Sequence, residues 1–218
     1  MAGDILETFK MSLIMAFRSL PMLLIGFIGF MAIGLGNMGL FVLFIGQAVF
    51  LPIFVGLVHL VTGGMAIFRV PTTDVSQLVP SAPYVAAEIN VGPSFWLVQF
   101  LFFMGYLMAN GVALHTVVAD PNLDDMQVAN QKAKAATAIT TTVLLILGIT
   151  YLRYLTHTET LAGVALAFLI GIGGGYGWYQ LAAVCGARAA DVFGISQQLV
   201  PNSAKDTKPM TCVYSPKP

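Results

Sequence analysis

The feature that most constrains this chain is a run of about 40 residues, from Pro21 to Leu60, that contains no charged side chain. Only the turn-like segment Gly34–Met38 interrupts it. The hydrocarbon core of a bilayer is roughly 30 Å thick, so a helix needs about 20 apolar residues to cross it. Because no water reaches that core, the backbone must bond to itself, which favours helices. The run therefore predicts two membrane-crossing helices joined by a tight hairpin.

The composition of the whole chain agrees with this prediction. Of 218 residues, 57% are hydrophobic and only 9% are charged, and the formal net charge is zero. This balance provides no basic surface for nucleic acid. The two cysteines, Cys185 and Cys212, do not have the pattern of a disulfide framework. We therefore expect an all-α integral membrane protein that does not bind nucleic acid.

The sequence divides into three parts. Residues 1–20 alternate apolar and polar side chains near the helical period, which predicts an amphipathic helix in the headgroup layer; a plain extension of the first span is the alternative. Residues 21–187 are predicted to form a transmembrane bundle, and residues 188–218 an extended tail. The expected spans lie near residues 21–36, 39–60, 95–118, 135–152 and 161–184. A bundle of four spans stays open, with the glycine-rich fifth segment re-entrant or peripheral.

Several residues mark the expected ends and bends of these spans. Trp96 opens the third span, and Arg153 and Tyr154 close the fourth. Aromatic and basic side chains are typical of headgroup contacts, so we expect all three at the interface. Pro52 should kink the second span, because proline removes a backbone hydrogen bond. Lysine and arginine are distributed too evenly to set the orientation.

Candidate chemistry inside the spans is sparse. No Asp, Glu, Lys or Arg lies in the middle of any expected span, although pumps and ion-coupled carriers usually need such groups. Gln99 and Asn110, eleven residues apart, share one helix face and should hydrogen-bond to neighbouring helices, with a substrate pathway as the alternative. His157 and Glu159 share a loop, but no nucleophile accompanies them. The acidic segment 120–125 lacks the glycine and the distal glutamate of a calcium loop. We expect no enzyme, cofactor or metal site.

Small residues recur every four positions in the last hydrophobic segment, at Gly163, Ala167, Gly171 and Gly175. This spacing predicts a smooth ridge against which another helix packs closely. The dense glycine run 171–177 also allows a second interpretation, in which a broken helix lines a pore with free carbonyls. A nucleotide loop is not expected, because the run lies within an apolar segment.

The C-terminal part resembles a known class of membrane proteins. The stretch Cys185–Ile195, followed by Pro201, Ser203–Ala204 and Pro209–Val213, is similar to the tail of multi-span membrane proteins encoded by large icosahedral DNA viruses of algae and protists. The resemblance covers about 30 residues of the chain. It implies a component of the membrane beneath the capsid, whose loops or tail contact capsid-layer proteins, and it assigns no function to any residue.

The tail has too few apolar residues in a regular period to fold alone, yet more than a linker needs. The apolar residues of the tail are Val192, Phe193, Ile195, Leu199, Val200 and Val213. Such a segment commonly orders on the surface of a partner. The expected function is a structural or assembly role in a membrane, with the virion internal membrane as its location and with lipid and other membrane or capsid proteins as partners. Whether the protein forms a homo-oligomer stays open. The alternative function is a small channel or facilitator with a pore at the glycine-rich break.

Overall fold

The structure is a computed structural model that describes residues 2–63, 65–71, 88–90, 92–116, 125–155, 158–186 and 190–193. The described chain is almost entirely helical. Its five long helices are α1 (Ala2–Leu35), α2 (Met38–Thr62), α3 (Phe95–Thr116), α4 (Asp125–Leu155) and α5 (Leu161–Val184). Between α2 and α3, strand β1 (Arg69–Pro71) pairs antiparallel with strand β2 (Glu88–Asn90).

Four of the described helices, α2 to α5, are long and apolar enough to cross a membrane. The shortest has 22 residues, which is about 33 Å at 1.5 Å per residue. This confirms the predicted helical class and is compatible with a multi-pass membrane protein. The sequence also allowed a bundle of four spans, in which the glycine-rich fifth segment does not cross the membrane. The structure instead makes that segment a regular helix, and the apolar part that falls short is Ser19–Leu35 of α1.

Helix α1 is continuous through Pro21. The sequence predicted an amphipathic helix over residues 1–20, with a plain extension of the first span as the alternative, and the continuous helix agrees with that alternative. Proline inside a helix removes one backbone hydrogen bond and favours a kink, but it does not always end the helix. The chain reverses at Gly36, whose φ of 60° suits glycine. Asn37 then caps α2 by accepting a bond of 3.1 Å from the backbone N–H of Leu40.

Helix α2 consists of α-helical segments Met38–Ile45 and Leu51–Thr62, joined by a π turn at Gly46–Phe50. Pro52, where the sequence predicted a kink, is the second residue after this turn. Proline lacks the N–H that a regular α-helix would use, and a π turn locally changes the bonding pattern. The irregularity therefore lies one turn before the proline.

Helix α3 is the central helix, and α4 and α5 pack on it. Its buried side chains include Trp96, Leu97, Leu101, Phe102 and Tyr106, all at most 1% exposed. The outward faces of the other helices carry large exposed apolar side chains, among them Phe30, Ile53, Leu60, Leu144 and Leu169. Lipid-facing helices commonly expose many large apolar side chains of this kind.

Successive helices α2 to α5 run antiparallel, so the bundle has two ends. We call the end that carries Thr62, Ser94 and Glu159 the ribbon end, because the Thr62 hydroxyl donates to the Gly92 carbonyl (2.7 Å) beside the strands. We call the opposite end, with Asn37 and Asp191, the tail end. Each end holds a buried polar cluster.

Candidate functional site

The ribbon-end cluster is built around a buried ion pair between α4 and the loop before α5. Arg153 donates to Glu159 Oε1 through Nη2 at 2.9 Å and through Nε at 3.2 Å. The two side chains are 1% and 0% exposed. Arg153 Nη2 also donates to the hydroxyl of Ser94 at 3.2 Å. The cluster therefore joins the end of α4, the entry to α5 and the start of α3.

Aromatic side chains cover this ion pair. The Arg153 guanidinium lies 4.7 Å from the centre of the Trp96 ring, in cation–π geometry. The Trp96 ring stacks on Phe100 with a centroid distance of 5.9 Å. The expectation that Trp96 and Arg153 contact headgroups is therefore wrong, because both side chains are buried and face each other. Tyr154, the next residue on α4, is exposed.

Local hydrogen bonds explain why the chain returns Glu159 to Arg153. The backbone N–H and the hydroxyl of Thr158 both donate to the Arg153 carbonyl, at 3.2 and 2.9 Å. Thr160 then caps α5 by accepting from the Gly163 N–H at 3.0 Å. Burial raises the pKa of the Glu159 carboxyl, and the neighbouring Arg153 charge opposes that shift. His157, which was considered beside Glu159, lies outside the described residues.

Two buried amides occupy the middle of the bundle. The Gln47 side chain, on the π turn of α2, donates through Nε2 to the Gln99 backbone carbonyl at 3.3 Å. Both residues are 0% exposed. Gln99 was expected to bond through its side chain, but among the described residues its backbone carbonyl makes the interhelical bond. Its side-chain amide has no hydrogen-bond partner there.

Beside this pair, α2 and α5 meet at a glycine. The Trp178 indole N–H donates to the Val42 carbonyl at 2.8 Å, and the ring stacks on Phe50. A Cβ at Gly46 would lie 2.5 Å from the indole nitrogen, so glycine leaves the space that the ring fills. Trp178 is therefore an interhelical contact between α5 and α2.

The tail-end cluster is formed by the chain after α5. The Asn110 side chain donates to Asp191 Oδ1 at 3.4 Å, and the Phe193 N–H donates to the same oxygen at 3.0 Å. The Tyr106 hydroxyl donates to the Ala190 carbonyl at 3.0 Å. Asn110 thus bonds outside its own helix, and Asp191, which the sequence analysis did not select, is 4% exposed.

The first described residues of the tail therefore lie against the bundle. The Asn37 side chain donates to the Val192 carbonyl at 3.3 Å. A Cβ at Gly39 would contact the Asp191 carbonyl oxygen, and it would lie 2.9 Å from the Val192 nitrogen. The sequence predicted Val192 and Phe193 as part of an extended partner-binding tail, but both are half-buried here. The other predicted tail residues, Ile195, Leu199, Val200 and Val213, lie outside the described residues.

The predicted ridge of α5 faces α3 over part of its length. A Cβ at Gly171 would lie 2.5 Å from the Leu101 Cβ and 2.9 Å from the Val98 carbonyl oxygen. A Cβ at Gly175 would contact the Phe102 carbonyl oxygen, and Ala167 is fully buried. Gly163 is placed differently, since its nearest atoms belong to its own helix cap: Thr160 Oγ1 at 3.2 Å and Glu159 Oε2 at 3.4 Å.

Helix α3 contributes a glycine of its own to this interface. A Cβ at Gly105 would lie 2.7 Å from the Ile172 carbonyl oxygen and 2.9 Å from its Cα. Sequence reasoning missed Gly105, because a single glycine in an apolar helix shows no spacing.

Helix α5 is continuous from Leu161 to Val184, so the break that a pore at residues 171–177 required is not there.

Over the described ranges, no group of three or more His, Cys, Asp or Glu side chains is placed to hold a metal ion. The acidic segment 120–125 lies outside those ranges except for Asp125, which is exposed in the first turn of α4.

Comparisons with protein-family models, with curated proteins and with solved structures find no match for this chain.

Proposed function

We propose that the protein is a structural component of a membrane. In this proposal, helices α2 to α5 cross the bilayer and the chain after Phe193 presents apolar side chains to a protein partner. The observation that carries the proposal is the α3–α5 interface, where Gly105, Gly171 and Gly175 bring the two backbones together. At these three positions the helices are so close that even a methyl group would clash with the facing helix, so no solute can pass between α3 and α5 there.

The polar clusters support a structural role as well. Breaking a buried ion pair is strongly destabilising, and interhelical polar contacts define how helices pair. Arg153 and Glu159 join three chain segments at the ribbon end, and Asp191 joins α3 to the tail at the other end. The clusters therefore fix the order and register of the helices.

The location that we propose is the internal membrane of a virion, with capsid-layer proteins as partners. The support is the resemblance of the segment after Cys185 to the tails of viral multi-span membrane proteins. The hydrogen bonds of Ala190 and Val192 to the bundle also support this location. A partner that binds the residues after them would be held close to the helices.

A channel or facilitator is the second candidate. The observation that favours it is the buried Gln47 and Gln99 pair, since polar side chains inside a bundle can contact a solute. A pore would have to pass beside these amides, along α2, because α5 is unbroken.

Reconstitution into sealed liposomes tests the two candidates. The reconstituted protein should resist alkaline extraction. Vesicles that contain it should release entrapped ions and a small dye no faster than protein-free vesicles do. Vesicles with a pore-forming peptide serve as the positive control. Release that rises with protein content and falls in a Gln99→Leu variant would overturn the structural proposal in favour of the channel.

A further inference from the structure

A groove between α3 and α4 is not used by the proposed function. Its volume is about 750 Å³, which is in the range of small-molecule sites. It is lined by Phe103 and Leu107 of α3, by Lys134, Thr137 and Leu145 of α4, and by Phe193 after α5. The groove lies near the tail end of the bundle.

The lining changes in character along the groove. Asn130 and Lys134 lie one helical turn apart at its outer end, and Lys134 is the one charged residue among the lining residues. From Ala135 to Leu152 the helix carries no charge, so Lys134 stands where the apolar part of α4 begins. Leu145 lies eleven residues further, which is about 16 Å along the axis. A single leaflet contributes about half of the roughly 30 Å hydrocarbon core.

We propose that this groove binds one anionic phospholipid from the bilayer, with its phosphate at Lys134 and one acyl chain along Phe103 and Leu145. The inference rests on the proposed membrane insertion. A cation at the headgroup level complements a lipid whose whole headgroup carries a net negative charge. Below Lys134 the α3 side of the groove is apolar, with Phe103, Met104 and Leu107, and an acyl chain can pack there. The α4 side carries Thr137, Ala138, Thr141, Thr142 and Leu145. The length from Lys134 to Leu145 fits one leaflet.

Selectivity for the headgroup is tested by thermal unfolding in neutral detergent. Phosphatidylglycerol, phosphatidylcholine or inorganic phosphate is added at equal concentration. A ligand that binds only the folded state raises the unfolding temperature. We expect phosphatidylglycerol to raise it by several degrees more than phosphatidylcholine does, and inorganic phosphate to leave it unchanged. Equal shifts with the two lipids would overturn the headgroup assignment, and a shift with phosphate alone would replace the lipid by a free anion.

Two matched pairs of variants locate the lipid. Lys134→Ala should abolish the extra shift, whereas Lys132→Ala, two positions away and not in the lining, should keep it. Ala138→Phe fills the groove, and Leu144→Phe enlarges an exposed side chain of the same helix outside it. Native mass spectrometry should then show one retained phosphatidylglycerol in the wild type and in Leu144→Phe, and none in Ala138→Phe. Equal retention in the last two would overturn the site.

Alkaline extraction of each variant from membranes keeps this test separate from the proposed function. Extraction of the wild type would contradict membrane insertion itself. Resistance to extraction, combined with equal stabilisation by both lipids, would contradict only the groove.

Discussion

The ion pair of Arg153 and Glu159 is buried, so water does not solvate either charge. Removing two charges from water costs several kcal/mol per ion, and their attraction offsets this only when the geometry is good. Here the arginine makes two bonds to one carboxylate oxygen, a third to Ser94, and lies over the Trp96 ring. A variant that lacks one partner leaves the other charge buried.

We predict that Glu159→Gln lowers the free energy of unfolding in detergent by about 3 kcal/mol, because the Arg153 charge stays buried without its counter-ion. Chemical unfolding followed by circular dichroism measures the change. Asp125→Asn, which removes an exposed carboxylate at the opposite end of α4 from Arg153, should change stability little. If the two variants lose the same amount, the pair is not a buried contact.

Sequence reasoning saw these residues but not their pairing. Arg153 closes an apolar segment, which is typical of a headgroup contact, and Glu159 lies six residues further along the chain. A signal was present, since Glu159 is the acid nearest to Arg153 in sequence. Asp191 had no such signal, because its partner Asn110 is 81 residues away and the bond depends on how the tail folds back.

Among the helices, α5 shows how far a spacing rule reaches. The four-residue spacing predicted one face, and Gly171 and Gly175 do lie against the α3 backbone. The rule could not identify the facing helix or its Gly105, since neither is encoded in the spacing. It also placed Gly163 on the ridge, where the structure has the helix cap of Thr160.

We predict that Gly171→Leu lowers the stability of the bundle by about 1–3 kcal/mol through overpacking. Its Cβ would already be too close to Leu101 and Val98, so the helices must separate. Gly173→Leu is the matched control, because nothing lies within 4 Å of a Cβ at that position. Thermal unfolding in detergent compares them, and an unchanged Gly171→Leu variant would mean that this face of α5 meets lipid.

For the whole molecule, the absence of charge predicted an all-helical chain, and the structure has four helices that are long and apolar enough to cross a membrane. It did not show that α1 is one helix, because Pro21 has the same local signature at a helix start and inside a helix. In the proposed membrane arrangement the number of crossings depends on α1, whose apolar part, Ser19–Leu35, is about 25 Å long. Gly29 faces Phe44 across the turn, so α1 and α2 are antiparallel.

This arrangement predicts that α1 makes a fifth crossing, with the N-terminus and the C-terminal tail on opposite sides of the membrane. Protease digestion of sealed vesicles tests it, with one epitope tag at each end of the chain. One tag should be lost and the other protected until detergent is added. Protection of both tags, or loss of both, would leave α1 on the surface and reduce the crossings to four.

The tail gives the last prediction, because its first residues belong to the bundle and the following ones are proposed to bind a partner. A chain that ends after Arg188 loses the bonds of Ala190, Asp191 and Val192 to three buried or half-buried side chains. It should be less stable than the full chain by about 2–4 kcal/mol, since each lost bond contributes roughly 1 kcal/mol.

A chain that ends after Phe193 keeps those bonds and should unfold at the temperature of the full-length protein. Both truncated chains should insert into membranes, and both should fail to enter assembled particles, because each lacks the residues proposed for the partner. Equal stability of the two truncations would mean that Ala190–Phe193 contributes nothing to the bundle. Normal incorporation of the chain that ends after Phe193 would place the partner-binding surface elsewhere, since the bundle and its first tail contacts would then be sufficient for assembly.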